Sequence, residues 1–208
     1  MLLAYTKLMF LVWLIALLIS FQILIRVWLK IFPQPIPYGW SWLLENPWRQ
    51  SYRNPISIAK RCEIQTSDVV LEIGCGSGLF TPYLAAAAQK LIAQDLDSRY
   101  VSETKIKTSG LSNVEFLVSD ALKLELPTDS VDVIVLISVL PEIPKPVLAL
   151  QECVRVLKLG GRLVISQELF EPEYVTSSTT DAWALEAGLK PVKKTGNAWV
   201  YFNHYQKA

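Results

Sequence analysis

The run VDVIVLIS, residues 131–138, constrains the fold more than any other stretch of this chain. Asp132 and Ser138 aside, every position is apolar and most are β-branched, with no polar alternation. Such a strand must be covered on both faces, as in a parallel sheet flanked by helices. The surrounding sequence fits that setting. DVVLEI (68–73), KLIAQD (90–95), VEFLVS (114–119) and RLVISQEL (162–169) read as further short strands. Between them lie helix-like runs at 79–89, 98–109 and PKPVLALQECVRVLKLGG (144–161). Pro82 is tolerable because it falls in the first turn of its helix, and Gly160-Gly161 reads as the stop of the third helix. Further on, TTDAWALEAGL reads as a helix with Gly188 as its stop. KPVKKT and AWVYFNHYQ, joined through Gly196-Asn197, read as a hairpin. Alternating βα units imply an α/β, doubly wound, mainly parallel sheet, to which the C-terminal hairpin adds an antiparallel edge.

The front of the chain obeys different rules. Leu8 to Ile25 carries no formal charge, and only Ser20 and Gln22 are appreciably polar. As a helix this run spans about 27 Å. Continued to Leu29 with Arg26 snorkelling, it approaches the ~20 residues that a bilayer core requires. It is apolar on all faces, unlike the single stripe of a buried core helix. LLISFQILIRVWLK keeps bulky residues where a signal peptide would end in a small-residue cleavage site. Residues 1–30 are therefore expected to form a transmembrane anchor, with residues 8–29 in the bilayer. Lys7 precedes the run; Arg26, Lys30, Arg49, Arg53, Lys60 and Arg61 follow it against Glu45 alone. The positive-inside rule then places the amino terminus outside and the following domain in the cytoplasm, a single-pass arrangement.

Residues 31–56 read as a Pro/Trp-rich juxtamembrane linker or cover, and residues 57–208 as the soluble domain. Alternating Pro33, Pro35 and Pro37 favour an extended, stiff spacer. Trp13, Trp28, Trp40, Trp42 and Trp48 all fall in the first 48 residues, and the later ones suit an aromatic belt. WSWLLENPWRQSYR (40–53) suits a surface on headgroups, a cover over a pocket, or ordinary packing against the domain. Charge excludes one partner class: 20 Lys+Arg against 19 Asp+Glu lacks the excess of a nucleic-acid binder. Cys62, Cys75 and Cys153 are odd in number and widely spaced, and His204 is the sole histidine. That leaves no metal-ligand spacing, and the cysteines read as reduced, buried thiols.

The chemistry is expected at VVLEIGCGSGLF (69–80). In an open α/β sheet, ligands gather at the carboxyl ends of the strands, where the first loop meets a helix. Gly74 and Gly76 match the start of the dinucleotide pattern G-x-G-x-x-G, but its third glycine position holds Leu79. The third glycine comes one residue early, at Gly78. Asp95 lies about twenty residues beyond, where a ribose-binding acid is expected. Its two oxygens suit two adjacent hydroxyls; Asp97 is the alternative.

On these residues the sequence resembles the class I S-adenosylmethionine-dependent methyltransferases, over about residues 55–206. The resemblance implies a seven-stranded sheet and S-adenosyl-L-methionine as cofactor, with no metal. It implies that Gly74, Cys75, Gly76 and Gly78 wrap the methionine and ribose portions, with Glu72 as the preceding acid. Asp95, with Leu96 beside it, grips the ribose. Asp120 and Ala121, in VSDALKLELPTDSVDVIVLISVL, match the pair that meets the adenine edge. Ile137 and Ser138 match positions beside the methionine end, and Asp132 a near-regular Asp of structural effect. One departure stands after SVL: many relatives have a histidine pair where this chain has Pro141-Glu142. Glu142 is the candidate catalytic residue, binding a cationic amine or accepting a proton; its bland reading is a solvated residue before a helix. Combined with the anchor, the resemblance implies a lipophilic or membrane-associated acceptor: a phospholipid amine, a quinone-like lipid, or an apolar thiol or phenol. The competing readings are a membrane-tethered scaffold that binds the cofactor without turnover, and a nicotinamide-dependent oxidoreductase, against which Leu79 argues.

Overall fold

In the computed structural model, residues 2–35, 37–39, 47–197 and 199–208 are described. Seven strands form one sheet in the order β3-β2-β1-β4-β5-β7-β6. They are β1 (Val69–Ile73), β2 (Lys90–Asp95), β3 (Val114–Val118), β4 (Val131–Ile137), β5 (Leu157–Glu168), β6 (Leu189–Gly196) and β7 (Val200–Lys207). β1 to β5 pair in parallel, and β7 runs antiparallel between β5 and β6. The chain starts the sheet at its centre, winds outward to β3, then returns to lay β4 on the other side of β1. That reversal between β1 and β4 opens a crevice at their carboxyl ends.

β4 is the most enclosed strand: Val133, Ile134, Val135 and Leu136 have no exposed surface. Its side chains alternate between two cores. Ile134 and Leu136 pack with Leu71, Leu150, Cys153 and Leu163 on the face covered by α6 (Pro146–Val156) and α7 (Ser177–Glu186). Val133 and Val135 pack with Val70, Leu84, Leu91 and Ile58 beneath α3 (Pro55–Arg61) and α4 (Thr81–Ala87). At about 1.5–3 kcal/mol for each fully buried Leu, Ile or Val, these two cores dominate the stability of the domain. Asp132 ties the strands together at the start. It accepts from the Val69 amide at 2.9 Å and from Lys158 Nζ at 2.8 Å. The three cysteines are free and buried.

One expectation is corrected. The helix expected to run to Gly160-Gly161 ends at Val156, and both glycines lie within β5. The amides of Asp129 and Ser130 bond the carbonyls of Arg155 and Val156 at 3.1 and 2.8 Å and draw the chain into the sheet. Leu157 then pairs with Val131, while Arg162 pairs with Val133, so residues 158–161 bulge out of the ladder. A Cβ on Gly161 would stand 2.7 Å from the Lys158 carbonyl oxygen, so the bulge itself requires glycine there.

At the front, α1 (Leu2–Ile31) contains one stretch, Tyr5–Ile31, long and apolar enough to cross a membrane. Its side chains are largely exposed along that stretch, Phe10, Trp13 and Leu17 among them. Its last turns meet the domain: Arg26 Nη2 donates to the Leu169 carbonyl at 2.6 Å. α2 (Pro47–Tyr52) lies within the expected linker. Trp40 and Trp42 of the expected aromatic belt lie outside the described residues, as do the side chains of Trp48 and Arg49.

Candidate active site

A cleft of about 330 Å³ opens where β1, β2 and β4 end. Its floor is the glycine loop after β1. The amides of Gly74 and Cys75 both donate to the Gln94 carbonyl at 2.9 Å, which locks the loop against β2. Thr104, on α5 (Ser98–Lys107), donates its hydroxyl to the Gly76 carbonyl at 2.7 Å and holds the far side.

Asp95 closes β2 and lines the cleft. Oδ2 accepts from the Gly76 amide at 2.9 Å and Oδ1 from the Asp97 amide at 3.0 Å. Each oxygen keeps a second lone pair for a ligand. Burial pushes this carboxyl above the usual carboxylate range, and the two amides pull against that. Asp97 is turned to another task. Its carboxylate caps α5 by accepting from the Arg99 amide at 2.9 Å, and it pairs with the Arg99 guanidinium at 2.5 Å. It is not part of the cleft wall.

Asp120 and Ala121 form the opposite end of the cleft with Leu122. Asp120 Oδ1 accepts from the Leu122 amide at 2.9 Å, which orients the carboxylate. Cys75, Leu96, Ile137, Ser138 and Glu142 also line the space. Ser138 follows β4 with φ +61°, and its amide donates to the Ser166 carbonyl at 2.8 Å. Glu142 sits half-buried at the end of a one-turn 3₁₀ helix, Leu140–Glu142.

Two expected residues stand behind the wall. Glu72 is 3% exposed and accepts from Thr81 Oγ1 at 2.8 Å; burial pushes its carboxyl up to about 8. Gly78 faces α5, where an added Cβ would come within 3.0–3.1 Å of Thr104 at φ +82°. Both shape the loop from outside the cleft.

Sequence reasoning missed the role of Arg53. It is 4% exposed and lines the cleft. Nη2 donates to Ser138 Oγ at 2.5 Å, Nη1 donates to Glu171 Oε1 at 3.0 Å, and Glu168 Oε2 lies 3.2 Å from Nη1. The guanidinium also stands over the Phe80 ring at 5.2 Å. The available signal was Glu168 at the end of the apolar β5, with Glu171 and Glu173 close behind in QELFEPE: an acid closing a buried strand calls for a partner. Nothing local says which one. The linker reaches the cleft as well: Pro35 lines it, Tyr100 donates its hydroxyl to the Pro37 carbonyl at 3.3 Å, and Tyr38 packs edge-on to Tyr100.

A family model described as a methyltransferase domain matches residues 71–165. The crystal structure of a SAM-dependent methyltransferase from Aquifex aeolicus aligns with TM-score 0.77 at 24% identity, covering 84% of this chain and 100% of that one. The fold is that of the class I methyltransferases. N-methyltransferase NodS from Bradyrhizobium japonicum, solved with S-adenosyl-L-homocysteine, aligns with TM-score 0.66 at 20% identity, over 82% of this chain and 91% of its own. Among curated relatives, a protein named as a probable S-adenosylmethionine-dependent methyltransferase of Mycobacterium tuberculosis is 33% identical over 124 residues, 59% of this chain and 43% of that protein. A demethylmenaquinone methyltransferase of Clavibacter sepedonicus is 28% identical over 137 residues, 64% of this chain and 56% of its own length. The chain thus spans about half the length of these curated relatives. The curated relatives are named as methyltransferases, and the solved structures share this chain's fold.

The cleft's own chemistry suits a ligand with adjacent hydroxyls, such as the ribose of S-adenosylmethionine: Asp95 lines the cleft and keeps acceptor capacity on both oxygens beyond the amides it already accepts from.

Proposed function

We propose that this chain transfers a methyl group from S-adenosyl-L-methionine to a lipophilic, membrane-associated acceptor: a phospholipid amine, a quinone-like lipid, or an apolar thiol or phenol. One observation carries the reading. A class I cleft and an exposed helix long enough to cross a membrane occur in one chain, and the helix's last turns dock beside the cleft at Leu169. The resemblance to a demethylmenaquinone methyltransferase adds support for the quinone-like choice. Residues 8–29 would lie in the bilayer as a single pass, with the domain on the cytoplasmic side.

In this reading the bound cofactor supplies an electrophilic methyl group, and the chain supplies alignment. Asp95 takes the ribose hydroxyls on its free lone pairs, Asp120 and Ala121 take the adenine edge, and the loop at Gly74–Gly76 accommodates the methionine end. Ile137, Ser138 and Leu79 exclude water beside it. Alignment of this kind is worth up to about 7–11 kcal/mol in favourable cases. Glu142 faces the same space and serves as the site for a cationic amine or for the proton released by the acceptor.

The test is mass spectrometry of a lipid extract incubated with labelled cofactor and the full chain in liposomes. A chain lacking residues 1–31 keeps Pro35, Pro37 and Tyr38 on the cleft. It is expected to bind S-adenosylhomocysteine normally yet methylate membrane-presented lipid poorly. Equal activity of the two forms on such lipid sinks the membrane-acceptor reading.

A further inference from the structure

A second cavity, of about 600 Å³, lies between the last turns of α1, the loop after β4 and the loop that leads from β5 into α7. Ile23, Val27 and Lys30 line one side, and Val175, Tyr174 and Trp183 the other. Ile143 and Pro144 line this cavity and the cofactor cleft alike, so one two-residue wall separates the two spaces. We infer that this second cavity is the tail subsite of the acceptor, taking a single apolar chain from the bilayer while its head group passes the Ile143–Pro144 wall into the cleft. This rests on the methyl-transfer reading above and narrows its acceptor to a single-tailed lipid.

Three features argue for that occupant. The volume lies within the ~300–1,000 Å³ typical of ligand sites. Five prolines, Pro33, Pro141, Pro144, Pro146 and Pro172, line it, so much of its wall is rigid and has no backbone N–H to satisfy. With Ile23, Val27 and Val175 these prolines offer a hydrocarbon chain an apolar surface to pack on, although Arg26, Lys30 and Glu173 also line the cavity. The cavity also begins on the one helix, among the described residues, long and apolar enough to sit in lipid, beside Arg26, whose guanidinium is already committed to Leu169. The cleft, at about 330 Å³, is the smaller of the two spaces. The two spaces share only Ile143 and Pro144 among the described residues, a small junction that suits one chain rather than the paired chains of a diacyl lipid.

The experiment photolabels the full chain in liposomes with a single-chain alkylphenol bearing a diazirine at mid-chain. Label is mapped by mass spectrometry, and a diacyl phosphatidylcholine with a diazirine in one chain serves as comparison. The alkylphenol is expected to label residues 172–183 and 141–146, competed by an unlabelled prenylated hydroquinone. Filling the cavity by Val175→Trp, or from the opposite side by Val27→Trp, is expected to cut that labelling about tenfold. Affinity for S-adenosylhomocysteine should be unchanged, which also reports that each variant is folded. Label confined to residues 5–22, label unchanged in both variants, or equal labelling by the diacyl probe would overturn the inference. Failure of the full chain to bind S-adenosylhomocysteine would instead overturn the methyltransferase reading, and the labelling pattern does not depend on it.

Discussion

Glu72→Gln isolates the cost of placing a carboxyl under the glycine loop. The group is almost fully enclosed, and burial raises its pKa from 4.5 to about 8, a gap of about 3.5. For an acid raised in the folded state the sign is fixed. Below 4.5 both folded and unfolded chains hold the proton, and the contribution to stability is at its full value. Between 4.5 and about 8 the unfolded chain releases the proton while the folded chain keeps it, so stability falls steadily and levels off above 8. At about 1.36 kcal/mol per unit the total reaches roughly 5 kcal/mol, an order-of-magnitude figure. Glutamine is neutral throughout and its carbonyl accepts from Thr81 in the same place, though an unsatisfied amide N–H costs about 1–3 kcal/mol. The variant should therefore equal or trail the native chain at pH 5 and exceed it at pH 9. The assay is denaturant unfolding of the detergent-solubilised chain at both pH values, followed by tryptophan fluorescence. Groups remote from Glu72 titrate in both proteins and cancel in the difference; Asp95, Cys62 and Cys75, which are coupled to its charge, do not cancel fully. Stability profiles that run parallel, within about 1 kcal/mol across the window, would refute the assignment of a protonated Glu72.

Three further outcomes are expected. Arg53→Met strands Glu168 and Glu171 without their cation and should cost about 3–5 kcal/mol of stability, read from the denaturant midpoint. Asp95→Asn keeps the shape but removes one acceptor oxygen and the charge; calorimetry should show S-adenosylhomocysteine binding weakened about 10- to 150-fold, the equivalent of about 1.5–3 kcal/mol. Gly78→Ala forces a side chain to φ +82° against Thr104. It should lower the melting temperature by the equivalent of about 1–3 kcal/mol, with cofactor affinity reduced through the loop rather than through a lost contact.

The parts of the fold legible in the sequence are those that local pattern determines. VDVIVLIS had no polar side to face water, and β4 is the strand with both faces covered. Gly160-Gly161 shows the limit of such reading. A helix stop and a strand bulge both call for glycine, and what decides between them is the pair of amides at Asp129 and Ser130, thirty residues away. Asp95 and Asp97 make the same point within the site. Spacing puts both near the glycine loop. The choice rests on Asp97 being the residue that caps α5, which leaves its oxygens committed to Arg99.

Arg53 carries the argument furthest, because its neighbours are more than eighty residues distant in sequence. Counted by composition it adds to the cationic bias behind the apolar run. In the structure its charge is enclosed and offset by Glu168 and Glu171, so it offers nothing to a headgroup surface. Arg26 is likewise held to the Leu169 carbonyl, and Arg61 stands over the Phe202 ring at 5.5 Å. The proposed cytoplasmic orientation then leans on Lys30, Arg49, Lys60 and the exposed Arg61 against Lys7, a narrower margin than the raw count. The displaced arginine gains another meaning in exchange. By joining the residue after α2 to Ser138 at the end of β4, it makes the linker part of the cleft wall.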